Sequence, residues 1–238
     1  MSGHSKWASI KHKKAAADAK RSNVFTKLGN DVTVAARRGG GDPAMNPTLR
    51  VAIDKARGAN MPKDNIERAV KRGTGELGGA AVEELLYEGF GPGNTAMLVE
   101  VLTDNRNRAN ADIRQIFVKH SGRFAEGGGV AYQFTQRGLI RLEVPADKVD
   151  LFEELTISEG ADDYLLEDNF AVVYVPIASL HHLKDAYEKN GLITQSAAIE
   201  HVPNTPIEIA EEDMEKVSIL VDLLEEYDDV TNVYTNIA

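Results

Sequence analysis

The sequence contains no cysteine, and tryptophan occurs once, at Trp7. Without cysteine the protein can form neither disulfides nor thiolate metal sites, and it has no thiol nucleophile. The first residues are polar and lack the apolar core of a secretory signal. The longest apolar run, residues 170–178, is too short to span a bilayer. We therefore expect a cytoplasmic protein that does not bind a membrane.

Signatures of catalysis are also missing. The sequence has no H-E-x-x-H, no G-x-S-x-G and no P-loop motif. His181 and His182 are adjacent, so they point to different faces of a helix and do not share a metal. The G-x-G-x-G motif at residues 89–93 precedes a strand pattern instead of a helix, which favours a plain turn over a nucleotide loop. We predict no enzymatic activity, no cofactor, no metal and no small-molecule substrate.

What the chain does have is a strong segregation of charge. Its formal net charge is -10 over 238 residues. Residues 1–75 nevertheless hold 16 Lys and Arg against 6 Asp and Glu, a net of +10. The remaining residues hold 11 Lys and Arg against 31 Asp and Glu, a net of -20. Because the sign of each region matters more than the overall balance, the basic third of the chain is the candidate for contact with a polyanion.

The stretch from residue 2 to residue 21 carries the densest positive charge and has few residues to bury. Cations beside phosphates release counterions, and an indole among them can stack on an exposed base. The alternative is a solvated basic tail. The nucleic-acid-binding residues predicted here are Lys6, Trp7, Lys11, His12, Lys13, Lys14, Lys20 and Arg21.

Helical signals follow this stretch. Ser22 is predicted to cap a helix that ends at the glycines of residues 39–41, and Asn46 with Pro47 is predicted to begin a second. Pro62 opens a third helix that Gly73 closes. Three basic helices also suit a helix-turn-helix reader of DNA. We do not favour base reading, because no helix shows clustered Arg, Asn and Gln.

The rest of the chain mixes strands and helices. Residues 139–202 follow the order β-α-β-β-α-β, which is ferredoxin-like. A strand at 95–102, a helix, a strand at 130–134, and a helix and strand after residue 206 predict an incomplete second unit of that kind. The fold class is therefore α+β, with an N-terminal three-helix domain and two ferredoxin-like domains, the third inserted into the second. The predicted boundaries are 1–77, 78–136 with 205–238, and 137–204.

A second candidate contact lies at the start of the helix after residue 105. Arg106 and Arg108 stand at a helix N-terminus, where cations oppose the macrodipole and anions are attracted. This combination predicts a phosphate site, with Arg114, Lys119 and Arg123 nearby. The alternative is ordinary pairing with acids such as Asp104. The glycines at 127–129 suggest either close approach of a ligand to the backbone or a simple bend.

Several motifs occur in one order along the chain: G-H-S-K-W, I-K-H-K-K-A-A-A-D-A-K-R, G-G-D-P-A-M-N-P, N-M-P-K-D-N-I-E-R-A, Y-E-G-F-G-P-G and T-D-N-R-N-R. In these the sequence resembles the YebC/PmpR family nearly from end to end. The resemblance implies a three-domain α+β protein of the bacterial cytoplasm that is not an enzyme. It also implies a probable DNA-binding transcriptional regulator. Carried over to these motifs, the implied nucleic-acid contacts are the basic N-terminal residues, with Arg106 and Arg108 of T-D-N-R-N-R.

The resemblance leaves two targets open. Mitochondrial relatives are translational activators, and some bacterial members are linked to the ribosome and to synthesis through proline-rich stretches. The protein is therefore expected to be a nucleic-acid-binding regulator of gene expression acting on DNA, or else a ribosome-associated translation factor that contacts rRNA. An interaction module whose acidic body binds a basic protein is a third possibility. We expect a monomer.

Overall fold

The computed structural model describes residues 21–77, 82–125 and 127–238, with side chains from residue 24 onward. The chain divides into two compact units. The second unit is Gln133–Thr205, and the first comprises the chain on either side of it. Because the helices and the first sheet belong to one unit, the separation of the helices as a domain of their own stays a prediction. No helix among the described residues is long and apolar enough to cross a membrane.

The elements of the first unit come from the chain before and after the second unit. Its helices are α1 (Arg21–Gly39), α2 (Pro47–Gly58), α3 (Lys63–Thr74) and α4 (Arg106–Lys119), and its first strands are β1 (Glu83–Phe90), β2 (Ala96–Thr103) and β3 (Arg123–Ala125). The second unit contains β4 (Phe134–Glu143), α5 (Val149–Ser158), β5 (Asp163–Glu167), β6 (Phe170–Val175), α6 (Leu180–Lys189) and β7 (Thr194–Pro203). The chain then returns to the first unit with α7 (Glu211–Glu226) and β8 (Val230–Thr235).

The first three helices pack around a small core, because each places an apolar stripe on one face. Leu28 and Val32 of α1 are buried against Leu49 and Ile53 of α2 and Ile66 of α3. Helix α3 runs very close to α1, since a β-carbon at Gly73 would lie 2.4 Å from the carbonyl oxygen of Thr33. The predicted helices are present, but α1 already contains Ser22, so Ser22 is not its cap.

The first sheet has the order β3-β1-β2-β8, and neighbouring strands are antiparallel. Helices α4 and α7 cover one face, where Phe117 and Leu220 join Met97 and Val99 in a common core. The sequence predicted an incomplete unit; β1 and the short β3 complete the sheet. The strand predicted at 130–134 is wrong, because a 3₁₀ turn occupies Ala131–Gln133 and β4 begins at Phe134.

The second unit confirms the predicted β-α-β-β-α-β order. Its sheet has the order β5-β6-β4-β7, with all pairs antiparallel. Helices α5 and α6 bury Phe152 and Tyr187 against Ile140 and Val173. The two ends of this unit meet, since the Asn204 N–H donates to the Gln133 carbonyl over 2.8 Å.

Candidate nucleic-acid interface

The five lysines and the one arginine of residues 2–21 have no described side chain, because residues 2–20 and the Arg21 side chain lie outside the described residues. Lys6, Trp7, Lys11, His12, Lys13, Lys14 and Lys20 therefore stay predictions. The structure does describe helices α1–α3, which follow them in the chain. The surface of these helices shows whether further basic residues are available to a polyanion.

Folding of α1–α3 leaves basic side chains on the outside, because the apolar stripes face inward. Two of these cations come from the last turn of α1, and the others come from α2 and α3. The exposed cations are Arg37, Arg38, Arg50, Lys55, Arg57, Lys63, Arg68 and Lys71, and Arg72 is half-buried.

Part of this charge is balanced locally. Lys55 lies 3.4 Å from Asp31, Lys63 lies 3.4 Å from Glu67, and Arg38 pairs with Glu84 of β1. Exposed pairs of this kind contribute little to stability and are screened by salt. A phosphate can therefore replace a carboxylate partner at small cost, so these cations remain available to a polyanion.

Other cations of the helices have no such partner. Arg37, Arg68 and Lys71 form no ion pair with a carboxylate of the described residues. Arg72 Nη1 lies 3.4 Å from Asn30 Oδ1, and Asn30 Nδ2 donates to the Asp228 carbonyl over 3.1 Å. Asn30 thus connects α1 to the turn between α7 and β8, which holds the basic helices on the first sheet.

The turn between α1 and α2 is organised by one buried side chain. Asn46 Oδ1 accepts from the Leu49 N–H over 3.0 Å, which confirms the predicted cap. Its Nδ2 group donates to the carbonyls of Ala35 and Gly40, each over 2.8 Å. Because one amide satisfies three backbone groups, it sets the angle at which α2 leaves α1.

Of the two arginines at the start of α4, Arg108 is engaged within the protein. Its Nη2 lies 2.8 Å from Asp229 Oδ2 and 3.3 Å from Asp104 Oδ1. The hydrogen bond to Asp229 raises the pKa of Arg108 above its ordinary value. Asp229 also accepts from the Thr103 hydroxyl over 2.8 Å. Arg108 therefore shows the acid pairing that the sequence left open as the alternative.

The backbone at this helix end is also partly satisfied. Asn105 Oδ1 accepts from the Arg108 N–H over 3.0 Å, and Thr103 Oγ1 accepts from the Asn105 N–H over 3.1 Å. Arg106 is exposed, and its carbonyl accepts from the Tyr87 hydroxyl over 3.3 Å. Arg106 is thus the one of the two predicted arginines whose side chain remains open to an external phosphate.

The other cations predicted near this end do not converge on it. Lys119 ends α4, about 20 Å from Arg106 along the helix axis at 1.5 Å per residue. The Arg114 guanidinium lies 5.0 Å from the centre of the Phe124 ring, and that of Arg123 lies 4.8 Å from the Phe90 ring. These two arginines pack on aromatic rings beside β3, where cation–π attraction holds them.

Sequence reasoning missed a buried carboxylate. Glu88 on β1 is 6% exposed and accepts N–H groups from Gly128 over 2.6 Å, from Ala131 over 2.9 Å, and from Val130. Burial alone would raise the pKa of Glu88, but these backbone hydrogen bonds outweigh it and lower the pKa. The loop at 127–131 therefore wraps an internal acid, and its amides are not directed at an external ligand. The signal in the sequence was the acid in an apolar strand together with the triple glycine.

Among the described residues, no group of three or more His, Asp or Glu side chains is arranged to hold a metal ion. The described features define a class of protein: an α+β body that carries a basic three-helix region at its N-terminal side. Two family profiles give the more specific identity. The profile described as the TACO1/YebC protein N-terminal domain matches residues 5–76, and that of the TACO1/YebC second and third domain matches residues 82–237. The chain belongs to the TACO1/YebC family, which confirms the resemblance.

Similar proteins cover almost the whole chain. A protein of Trichlorobacter lovleyi is 50% identical over 99% of this chain and 95% of its own length, and one of Citrifermentans bemidjiense is 51% identical with the same coverage. Both bear the name probable transcriptional regulatory protein. The crystal structure of a conserved hypothetical protein from Aquifex aeolicus is 40% identical, with a TM-score of 0.83 over 93% of this chain and 91% of that one. The chain therefore shares its fold with that solved structure.

Proposed function

We propose that this protein is a nucleic-acid-binding regulator of gene expression and that its target is DNA. The observation that carries the proposal is the segregation of charge: the basic residues concentrate before residue 76, and folding of α1–α3 leaves the described cations of these helices mostly exposed. The acidic remainder repels the same polyanion, so most of the contact falls on the basic region. The names of the relatives, probable transcriptional regulatory proteins, support DNA as the target.

Within this proposal the contacts are made by the N-terminal lysines and Arg21, by Trp7 and His12, and by the exposed cations of the helices. Arg106 is a further contact. Arg108 contributes less, because Asp104 and Asp229 already neutralise it. Phosphate contacts of this kind position a protein on a nucleic acid without reading its sequence.

A second candidate is a translation factor that binds rRNA in the ribosome and assists proline-rich or otherwise stalled synthesis. The exposed residues of α3 favour it. They mix both signs of charge, with Lys63, Asp64, Glu67, Arg68 and Lys71, and Asn65 is the one exposed amide among them. A helix that reads the major groove presents Arg, Asn and Gln to base edges. A mixed surface of this kind suits recognition of backbone and shape, which is the usual mode for RNA duplexes.

The proposal is tested by measuring affinity for a DNA duplex and an RNA hairpin against salt concentration. If four or five phosphates are contacted, the log–log slope should be about -4. Replacing Lys11, Lys13 and Lys14 together by Gln should reduce that slope by about 3. Lys216→Gln on α7 is the matched control, because Lys216 pairs with Glu212 over 2.6 Å and lies in the acidic region. A salt-independent affinity, or none, would contradict nucleic-acid binding.

The two targets are separated in cells. The protein is crosslinked, ribosomes are sedimented at moderate and high salt, and the attached DNA and RNA are sequenced. A shared DNA operator motif supports regulation of transcription. Crosslinks restricted to rRNA would reject it in favour of the translation factor.

A further inference from the structure

The face between α1 and α3 contains a groove of about 280 Å³. It lies in the helical region, beside the exposed cations. Phe25 of α1, Met61 and Ala69 form its apolar part, and Met61 and Ala69 are almost completely buried. Gly29 also lines the groove and adds no side chain to it. The groove is therefore lined mostly by carbon and is open to solvent beside a half-buried phenyl ring.

The polar side of the groove is cationic. Asn65, Arg68 and Arg72 lie three or four residues apart on α3, so they form one row along the helix. Both charged residues among the described ones that line the groove are positive. Arg72 contacts Asn30 Oδ1 only at 3.4 Å, a long hydrogen bond that can be exchanged for a stronger one.

An apolar floor beside a row of arginines matches the two parts of a nucleotide. A nucleobase offers a flat apolar face to an aromatic ring, and stacking of this type tolerates any base. Its phosphate is an anion that a guanidinium binds with two parallel hydrogen bonds. An apolar protein helix would fill the floor but would leave the arginines without partners, so charge complementarity favours the nucleotide.

We propose that this groove accepts one unpaired nucleotide, whose base packs on Phe25 and whose phosphate binds Arg68 and Arg72. The inference rests on the proposed function and specifies it: the nucleic acid that binds contains a single-stranded or extruded position. The shared chemistry is a base with its phosphate, whether the sugar is deoxyribose or ribose. The Asn65 amide lies beside the base, where it can bind a polar edge.

The test compares fluorescence-labelled octamers on the full-length protein at one salt concentration: dU8, rU8 and an octamer of abasic sites with the same number of phosphates. We expect the intact protein to bind one of the base-bearing octamers at least about tenfold more tightly than the abasic one, since the base in the groove alone contributes about that factor. A preference for rU8 identifies RNA as the source of the nucleotide, and a preference for dU8 identifies DNA.

Variants then locate the stacked base. Phe25→Leu keeps the apolar volume but removes the ring, so the preference for bases over abasic sites should fall about tenfold, to what Trp7 alone contributes, while abasic affinity is unchanged. Gly29→Leu fills the groove without removing a contact and should have the same effect, which guards against a folding defect in the first variant. Melting curves of both variants confirm that the helices remain folded.

Charge variants test the other half of the nucleotide. Arg68→Gln should weaken binding of every octamer by more than Lys71→Gln does. Lys71 is the matched control, because it lies on α3 but does not line the groove. A base preference that neither Phe25→Leu nor Gly29→Leu lowers would overturn the inference while leaving the proposed function intact. Failure of all octamers and duplexes to bind would instead overturn the proposed function itself.

Discussion

Glu88 shows how one residue can determine the course of a loop. Its carboxylate accepts hydrogen bonds from the N–H groups of Val130 and Ala131, which in a strand would bond to a neighbouring strand. The chain therefore turns at these residues instead of continuing as a strand. A buried carboxylate is costly unless it is fully hydrogen-bonded, and the glycines at 127–129 let several amides point at it. The acid and the loop are therefore stable only together.

Glu88→Gln should lower the free energy of unfolding at pH 7 by about 2 kcal/mol. The NH₂ group of glutamine is a donor, and it would face backbone N–H groups that now donate to the carboxylate. Since the folded pKa of Glu88 is lowered from 4.5, its contribution is complete above that value and is lost as pH falls below it. Urea unfolding at pH 7 and at lower pH measures both. The difference between wild type and variant should shrink on acidification; a constant difference would contradict the role of the charge.

Arg106 and Arg108 differ in environment although the sequence makes them equivalent. Arg108→Ala removes the partner of Asp229, whose side chain is only 13% exposed, so the melting temperature should fall. Arg106→Ala should leave the melting temperature nearly unchanged and should lower nucleic-acid affinity. Calorimetry and salt titration of the pair measure the two effects. An equal loss of affinity from both variants would show that the Asp229 pair opens on binding.

At the scale of elements, the junction of α1 and α2 depends on Asn46. The same side chain caps α2 and donates to the carbonyls of Ala35 in α1 and of Gly40 just after it, so the two helices share one polar group. A cap that only accepted a hydrogen bond would stabilise α2 without fixing its angle to α1. The helical surface that carries the cations is therefore held by a buried amide as well as by apolar packing.

Asn46→Ala should destabilise the protein by about 2 kcal/mol, because it removes the cap of α2 and both hydrogen bonds from the amide to the Ala35 and Gly40 carbonyls. Asn46→Ser retains an acceptor for the Leu49 N–H but loses both donors, so an intermediate loss is expected. Denaturant unfolding of the three proteins gives the order. Equal stability of the serine variant and wild type would show that the amide donors contribute nothing.

At the scale of the whole molecule, the second unit is inserted between parts of the first. Its ends meet at Gln133 and Asn204, and the chain after it is anchored in the first unit. There the Ala96 N–H donates to Asn236 Oδ1 over 2.8 Å, and Ile207 bridges Ile237. Because the two ends of the inserted unit are adjacent, its removal leaves only a short gap in the chain of the first unit.

Replacement of residues 133–205 by a linker of about four glycine and serine residues, which spans roughly 13 Å when extended, should therefore leave the first unit folded. Residues 133–205 alone should also fold, because their core of Ile140, Phe152, Val173 and Tyr187 is internal. Circular dichroism and thermal unfolding of the two fragments test this. Loss of cooperative unfolding in the shortened chain would mean that the first unit requires the second.

The sequence alone determined the α+β class, the three helices, the ferredoxin-like order of the second unit and the segregation of charge. Each depends on neighbours within one element: apolar periodicity, caps and local composition. Strand β1 was not predicted, because buried Glu88 interrupts its apolar pattern, and β3 is too short to show one.

Only the tertiary structure decided the roles of the residues in these elements. It paired Arg108 with Asp229, 121 positions away, and it directed the amides of the glycine loop to Glu88, about 40 positions away. It also placed Phe25 of α1 beside Arg68 and Arg72 of α3. Such contacts are set by how elements pack against each other, and local sequence patterns carry no information about which distant partner a charge will meet.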